Sequence, residues 1–520
     1  MTITTVERRV LRLAPLAAAL ASLLVAPTCR ADWRFTPSLN VAATWTDNVD
    51  LQTRDREHSD LISEISPTLA FVVDSRRVQA SARGSFRQFF YAKEASSQNR
   101  SDKFAEYGAD LRGILAEDLL FVDASASSSR QSVSAFGPRA ENRPWSELNS
   151  TEIKTWRISP YLTREFGRSA RATLRYTRDS VESDQRNRFG DSLADNISLN
   201  LDSLPDGRKL GWGLMYNRQD LEQEFAGESS TENVSGRLRY QLHRSLALTA
   251  NAGYDRYDYQ ALGGRTAGRN WSAGFAWTPS QRTSIEASIG RHFYGTTGSL
   301  AASVRSRRTV WNLNYSDAIT NSRQQYTLPS AVDTAALLDQ LFQATIPDPA
   351  QRRLAVQAYI QATGLPPSLA DSVNYLTNRY VRQKLLQGSA GLRGARSSAL
   401  LSIYGSERIA LSSQESDSAL LGGQLAALND NVRQSGASAV FNYRLNTRTT
   451  LVANASYGHT ESLSTGVEDR QRVLRVGLSR NLGRNLRGTL DLHRRTGNVD
   501  SVNPRSYTEH AIAATVTMTL

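Results

Sequence analysis

Cysteine is almost missing: Cys29 is the only one in 520 residues, so no disulfide framework, thiolate metal site or C-x-x-C redox pair can be built. Lysine is nearly as scarce, with Lys93, Lys103, Lys154, Lys209 and Lys384 standing against 62 basic residues in all; the net charge of +12 is carried by arginine. The six histidines are scattered. His292, His459, His493 and His510 fall toward one end of their segments, where serines are plentiful, yet there is no GxSxG elbow and no HExxH spacing, and the sequence selects no catalytic group. Past the leader no apolar run approaches the roughly 18 residues a membrane helix needs, and mean hydropathy is -0.44. These absences exclude a helical inner-membrane protein. Pro/Gly/Ser linkers are also lacking, so nothing divides the chain into the several domains its length would otherwise suggest.

What the chain has, first, is a leader. Arg8, Arg9 and Arg12 precede the short apolar run Leu13 to Val25, and Cys29-Arg30-Ala31 places small residues before a cut. That order is a secretory signal peptide over residues 1–31, with cleavage expected after Ala31. A lipoprotein signal using Cys29 is the alternative, against which Ala26-Pro27-Thr28 is a poor approach sequence.

Next comes a two-residue period. In the last fifteen residues His510, Ile512, Ala514, Val516, Met518 and Leu520 fall on one face, and Ala511, Ala513, Thr515, Thr517 and Thr519 on the other, the pattern of a strand with one apolar and one polar side. It is long enough to cross a tilted bilayer path, which takes roughly 9 to 11 residues, and Ile512, Ala514, Val516, Met518 and Leu520 are expected on the barrel-closing strand. The same device begins at Arg34, where Phe35, Leu39, Val41 and Trp45 alternate with Thr36, Ser38, Asn40 and Thr44, and it recurs to the end of the chain. Most of the eight tryptophans lie at or near the ends of such runs, where interfacial girdles belong. Tight turns, such as Ser75-Arg76, Gly167-Arg168 and Gly483-Arg484-Asn485, alternate with long polar loops, such as 47–59, 133–150 and 412–433. Short periplasmic turns and long external loops are the habit of spanning barrels.

The fold class predicted is therefore all-β: a transmembrane antiparallel barrel over residues 32–520, with a small helical insert. Direct counting gives about 21 strands, and an even number is needed to bring both ends to one side. Ser322 to Leu328, turning near Ser316-Asp317, is the candidate for the missing strand, giving about 22, with about 20 as the fallback. The insert spans 329–380. Asp333 is placed to cap a helix bearing Leu337, Leu338, Leu341 and Phe342; Asp348-Pro349 opens a second with Leu354, Val356 and Ile360 that stops at Gly364; a third piece runs toward Tyr375. Strand parity puts this insert at the outer end, as a lid or as a plug folded into the lumen, with an external loop of no gating role as the plain alternative.

Several short stretches carry a family likeness: Thr46-Asp47-Asn48-Val49, Ser59-Asp60-Leu61-Ile62 running to Ser66-Pro67, Ile346-Pro347-Asp348-Pro349, Gly364-Leu365-Pro366, the run Val373 to Tyr380, Gly394-Ala395-Arg396 and Ser406-Glu407-Arg408. In these the chain resembles the outer-membrane barrels associated with the PEP-CTERM/exosortase system, found with exopolysaccharide loci. The resemblance runs over nearly the whole mature chain and is most specific at the insert. It implies a barrel serving export of envelope polysaccharide or sorted protein, and it brings no catalytic residues with it.

Arg83, Arg87, Arg157, Arg171, Arg175, Arg237, Arg239, Arg475 and Arg487 fall on faces expected to point inward. Guanidinium groups grip carboxylate or phosphate in a fork and keep their charge, so this lining would favour an anionic polymer. Equally, Glu64, Glu106, Asp110, Asp123 and Asp491 are placed to pair with those arginines and brace the wall; both readings stay open. The acidic loop Asp47, Asp50, Asp55, Glu57 and Asp60 is either a solvated loop or a seat for a divalent cation. The function expected is a pore or conduit for anionic exopolysaccharide, against a structural or adhesive barrel without a pore and a general diffusion porin. No enzyme activity, cofactor, metal or nucleic acid is expected. The expected partners are outer-membrane lipid and lipopolysaccharide, the barrel-assembly machinery and periplasmic polysaccharide-export components.

Overall fold

In a computed structural model the residues described are 32–93, 100–139, 143, 145–183, 190–204, 209–224, 226–259, 261–263, 265–327, 334–343, 346, 352, 356, 372–412, 427–498 and 506–520. The leader and its cleavage point lie outside them. Strands dominate: β1 (Asp32–Thr46), β2 (Asp60–Asp74), β3 (Val78–Tyr91), β4 (Lys103–Ala116), β5 (Leu120–Ser132), β6 (Ser150–Phe166), β7 (Ala170–Ser183), β8 (Ser192–Ser203), β9 (Leu210–Gln223), β10 (Gly227–His243) and β11 (Leu246–Asp258). The second half continues with β12 (Ala267–Ser280), β13 (Thr283–His292), β14 (Gly295–Arg305), β15 (Thr309–Thr320), β16 (Val381–Arg393), β17 (Ser397–Ala410), β18 (Val432–Arg444), β19 (Thr449–Ser462), β20 (Glu468–Asn481), β21 (Leu486–Asn498) and β22 (Ser506–Thr519). Each pairs antiparallel with the next, and β22 returns to β1 over the register Ser38↔Thr519 to Thr46↔Ala511. The result is a closed 22-stranded antiparallel barrel. Closure gives each strand a neighbour on both sides and leaves no open edge strand, the condition for a sheet to sit in hydrocarbon.

Alternation decides which side chains meet lipid. On β1, Phe35, Val41 and Trp45 point outward and are exposed, as are Ile512, Val516 and Met518 on the adjoining β22. These apolar side chains lie exposed on the outer wall, so this band is the lipid-facing surface of an outer-membrane barrel. Trp33, Trp45, Trp212, Trp271, Trp277 and Trp311 are all exposed on it. Trp145 is not: it is buried, against the expectation that it joins the girdle, because it belongs to a loop that folds inward. Among the described residues no helix is long and apolar enough to cross a membrane.

The missing strand is not Ser322 to Leu328. β15 runs straight through Ser316-Asp317, held by the register Thr309↔Leu392 to Thr320↔Val381 and by Arg382 reaching the Asp317 carboxylate at 2.7 Å. Ser322–Thr327 then forms a short helix, α1. The Asn321 side-chain oxygen accepts the Gln324 N–H at 2.8 Å, and this cap turns a polar run that has no two-residue alternation into helix. The twenty-two strands exist without it. A second helix, α2 (Thr334–Phe342), follows. Turns at the end where β1 starts are short, as expected; at the opposite end three connections break the rule, β9 to β10, β13 to β14 and β19 to β20, where only residues 224–226, Phe293-Tyr294 and 463–467 intervene.

Candidate functional site

A cylinder of this strand number is too wide for its own side chains to fill, so what occupies the lumen decides what the barrel can do. At the outer mouth the loop between β5 and β6 turns inward rather than into solvent. Its Val133, Ala135, Phe136 and Trp145 are buried, and removal of that apolar surface from water is the drive. The loop is pinned at several points along the way. Ser134 Oγ and the Ala135 N–H donate to Asn429 Oδ1 at 3.1 and 3.2 Å, the Gly137 N–H donates to Asp469 on β20 at 3.0 Å, and Arg139 donates to the Tyr404 hydroxyl on β17 at 2.8 Å. Further on, Arg143 reaches the Val49 carbonyl and lies 3.5 Å from Glu509 on β22. Glu509 is fully buried; Arg495 holds it at 2.9 Å and Thr46 donates to it at 2.9 Å.

The insert shares this mouth. Arg323 of α1 crosses to the opposite wall, 2.6 Å from the Asp179 carboxylate on β7 and donating to Ser192 on β8 at 2.9 Å. Burial pushes this guanidinium below its ordinary range, and Asp179 pulls it back up. Residues 372–376 then run between two walls. The Val373 N–H donates to Gln434 on β18 at 2.7 Å, the Leu376 N–H donates to the Val133 carbonyl at 3.2 Å, and Tyr375 bridges Ser132 at the end of β5. The Arg408 guanidinium lies over the Tyr375 ring at 4.9 Å.

Deeper in, α2 stands inside the barrel near the inner ends of β15 to β17. Leu337, Leu338, Leu341 and Phe342 pack on Val310, Leu400 and Val440. Asn312 donates to Gln340 at 3.0 Å, and Arg393 lies over the Phe342 ring at 4.9 Å. A cavity of about 430 Å³ beside the helix is lined by amides and hydroxyls, among them Asn314, Gln387 and Ser389, with Glu286. Of the insert residues singled out from sequence, Leu337, Leu341 and Phe342 thus meet in this core and Tyr375 sits at the mouth; Leu354 and Ile360 lie outside the described residues.

All nine arginines singled out from sequence occupy inward positions, and most have acidic or amide partners. Arg87 lies 3.7 Å from Glu64 and 4.0 Å from Glu106; Arg171 pairs with Glu165; Arg175 holds Asp123 at 3.0 Å and covers the Tyr161 ring at 4.0 Å. Arg237 reaches Asp202 at 3.1 Å, Arg475 reaches Asp491 at 2.9 Å, and Arg487 donates to Asn481 at 3.0 Å. Glycines make room for two of these pairs. A Cβ on Gly477 would lie 2.1 Å from Asp491, and one on Gly213 would lie 2.5 Å from Asp202. Arg83, Arg157 and Arg239 have no ion pair among the described residues.

The acidic loop is not left to solvent. Arg100 takes Asp50 at 2.9 Å and Asp60 at 3.0 Å, and His510 takes Asp47 at 2.9 Å. Among the described residues no cluster of three potential metal ligands forms. His292 is bonded to Asp255 at 2.8 Å. Sequence reasoning did not single out Arg323, Arg143 or the inward course of the loop after β5. Its signal was there, in Val133, Phe136 and Trp145 within a stretch otherwise polar.

No family model matches the chain, and no curated protein matches it. Solved structures that share the fold class include the siderophore receptor PirA from Pseudomonas aeruginosa, 11% identical over 95% of this chain and 82% of that one, with a TM-score of 0.43. The FrpB iron transporter from Neisseria meningitidis is 10% identical over 93% and 81%, with a TM-score of 0.48. The ferric enterobactin receptor PfeA from Pseudomonas aeruginosa is 10% identical over 93% and 81%, with a TM-score of 0.44.

Proposed function

We propose that this chain is a gated outer-membrane conduit, held closed by its own loop and insert, that passes an anionic polymer of the acidic exopolysaccharide kind. The observation that carries the reading is the span across the mouth: residues 372–376 are bonded to β5 on one side and to β18 on the other. A barrel used only as a wall has no need to stopper a lumen this wide. The arginines favour an anion as cargo, since a polymer carrying carboxylates can exchange places with Asp123 or Asp202 on guanidiniums already held in the wall. The polysaccharide assignment rests on the likeness to exopolysaccharide-locus barrels.

Single-channel conductance of the refolded protein tests this. The intact chain is expected to stay mostly closed. A variant lacking 321–380, with Thr320 joined to Val381 by a short turn, is expected to conduct with anion preference, which Arg171→Ala and Arg175→Ala reduce. Silence in both constructions removes the conduit. Unchanged surface polysaccharide after gene deletion removes the export assignment while leaving a pore.

A second reading has its own support. Six of the nine inward arginines are engaged by carboxylates or an amide, as expected of a braced structural barrel with no conducting path. The same silence would establish it.

A further inference from the structure

The outer wall between β17 and β21 carries a groove in the lipid-facing band. Two rows of outward residues run side by side across the strands. One is Ile403↔Ala437↔Tyr457↔Arg472↔Thr496, and the other is Leu401↔Ala439↔Ala455↔Leu474↔Arg494. The middle of these rows carries alanine, and a groove of about 800 Å³ opens over Ala437, Ala439 and Ala455. Ile403 and Leu474 stand up on its flanks.

Arg472 and Arg494 close one end. Arg472 faces Thr496 across β20 and β21, so Arg494 is its diagonal neighbour, at the roughly 7 to 8 Å usual for such positions. Both are exposed. The arginines above them on the same wall have carboxylate partners: Arg433 holds Glu407 at 3.2 Å, and Arg470 holds Glu468 at 2.8 Å. Arg472 and Arg494 have none among the described residues; Arg472 lies only over the Tyr457 ring, at 5.9 Å. Below them the outward positions turn to Val476, Leu478, Leu490 and Leu492, all exposed to lipid. Two adjacent guanidiniums at the upper limit of an apolar band repel each other and cost little only if an anion lies between them.

We propose that this groove binds a phosphorylated, acylated lipid of the outer leaflet. Arg472 and Arg494 clasp a phosphate monoester, and acyl chain lies over the alanine floor. Two forked cations suit the dianion of a monoester better than the single charge of a phosphodiester lipid. The alanines supply the depth that a row of leucines would fill.

Native mass spectrometry of the delipidated full-length protein, titrated in detergent with bisphosphorylated lipid A, tests the assignment. One lipid A is expected to be retained by the wild type. Arg472→Ala with Arg494→Ala should weaken it at least tenfold, and Ala439→Trp, which fills the groove and leaves both arginines, should weaken it comparably. Dephosphorylated lipid A should bind the wild type at least tenfold less well. The proposal is overturned if the double variant binds as the wild type does, or if phosphatidylglycerol or dephosphorylated lipid A binds as tightly as lipid A. The ligand comparisons need only the wild type, so they decide the matter even if a variant fails to fold.

Discussion

Arginine does different work at different depths of this barrel, and its surroundings determine which. Arg323 is almost wholly buried against Asp179. Removing one member of a buried pair leaves the other charge stranded, at a cost of about 3 to 5 kcal/mol. Arg323→Ala should therefore free the outer mouth without unfolding the barrel; limited proteolysis of the folded protein should cut the insert at protease concentrations that spare the wild type. Mid-wall pairs depend on neighbours too small to interfere. In Gly477→Val the new side chain collides with Asp491, and overpacking of this kind costs about 1 to 3 kcal/mol. The barrel should lose its compact, heat-resistant band on SDS gels at a lower temperature. The inward orientation of the arginines was legible from alternation alone. Glu64, Glu106, Asp123 and Asp491 were legible as inward acids, but which arginine each would meet was not, and Glu165 and Asp202 were missed as partners, because cross-strand register is not written in either strand separately.

At the level of elements, strands were easier to read than what hangs between them. A strand exposed to lipid on one side and water on the other has to alternate, so β1 and β22 announce themselves. Ser322–Thr327 faces protein on several sides at the mouth, so its sequence carries no such constraint, and a short polar run was misread as strand. The helix α2 was legible through Leu337, Leu338, Leu341 and Phe342 at helical spacing. Its depth in the lumen was not, since the surface it covers comes from Val310, Leu400 and Val440 on three separate strands. Leu338 has no exposed surface, and Leu338→Ala should cost the docked helix about 2 to 5 kcal/mol. Hydrogen exchange should quicken in α2 while the β15 and β16 ladder stays protected; equal loosening of both would mean the helix braces the wall rather than merely resting against it.

For the molecule as a whole, one apolar exterior and one polar interior are the organising fact. Val516 and Thr515 are successive residues on β22 that face opposite ways. An arginine facing mid-bilayer lipid costs about 2 to 4 kcal/mol, so Val516→Arg should lower refolding yield into vesicles, while Thr515→Arg should fold nearly as the wild type does. Equal effects at the two positions would contradict the assignment of faces. The insert, meanwhile, leaves the wall at Thr320 and rejoins it at Val381, and these two residues are direct partners in the ladder. The insert, as distinct from the loop after β5, thus hangs from a single point on the outer rim, like a hinged cork. It can swing outward without parting any strand, whereas pressure from outside seats it more firmly. Current through the protein in a planar bilayer should accordingly rectify, with openings favoured at the polarity that drives anions outward from the periplasmic side.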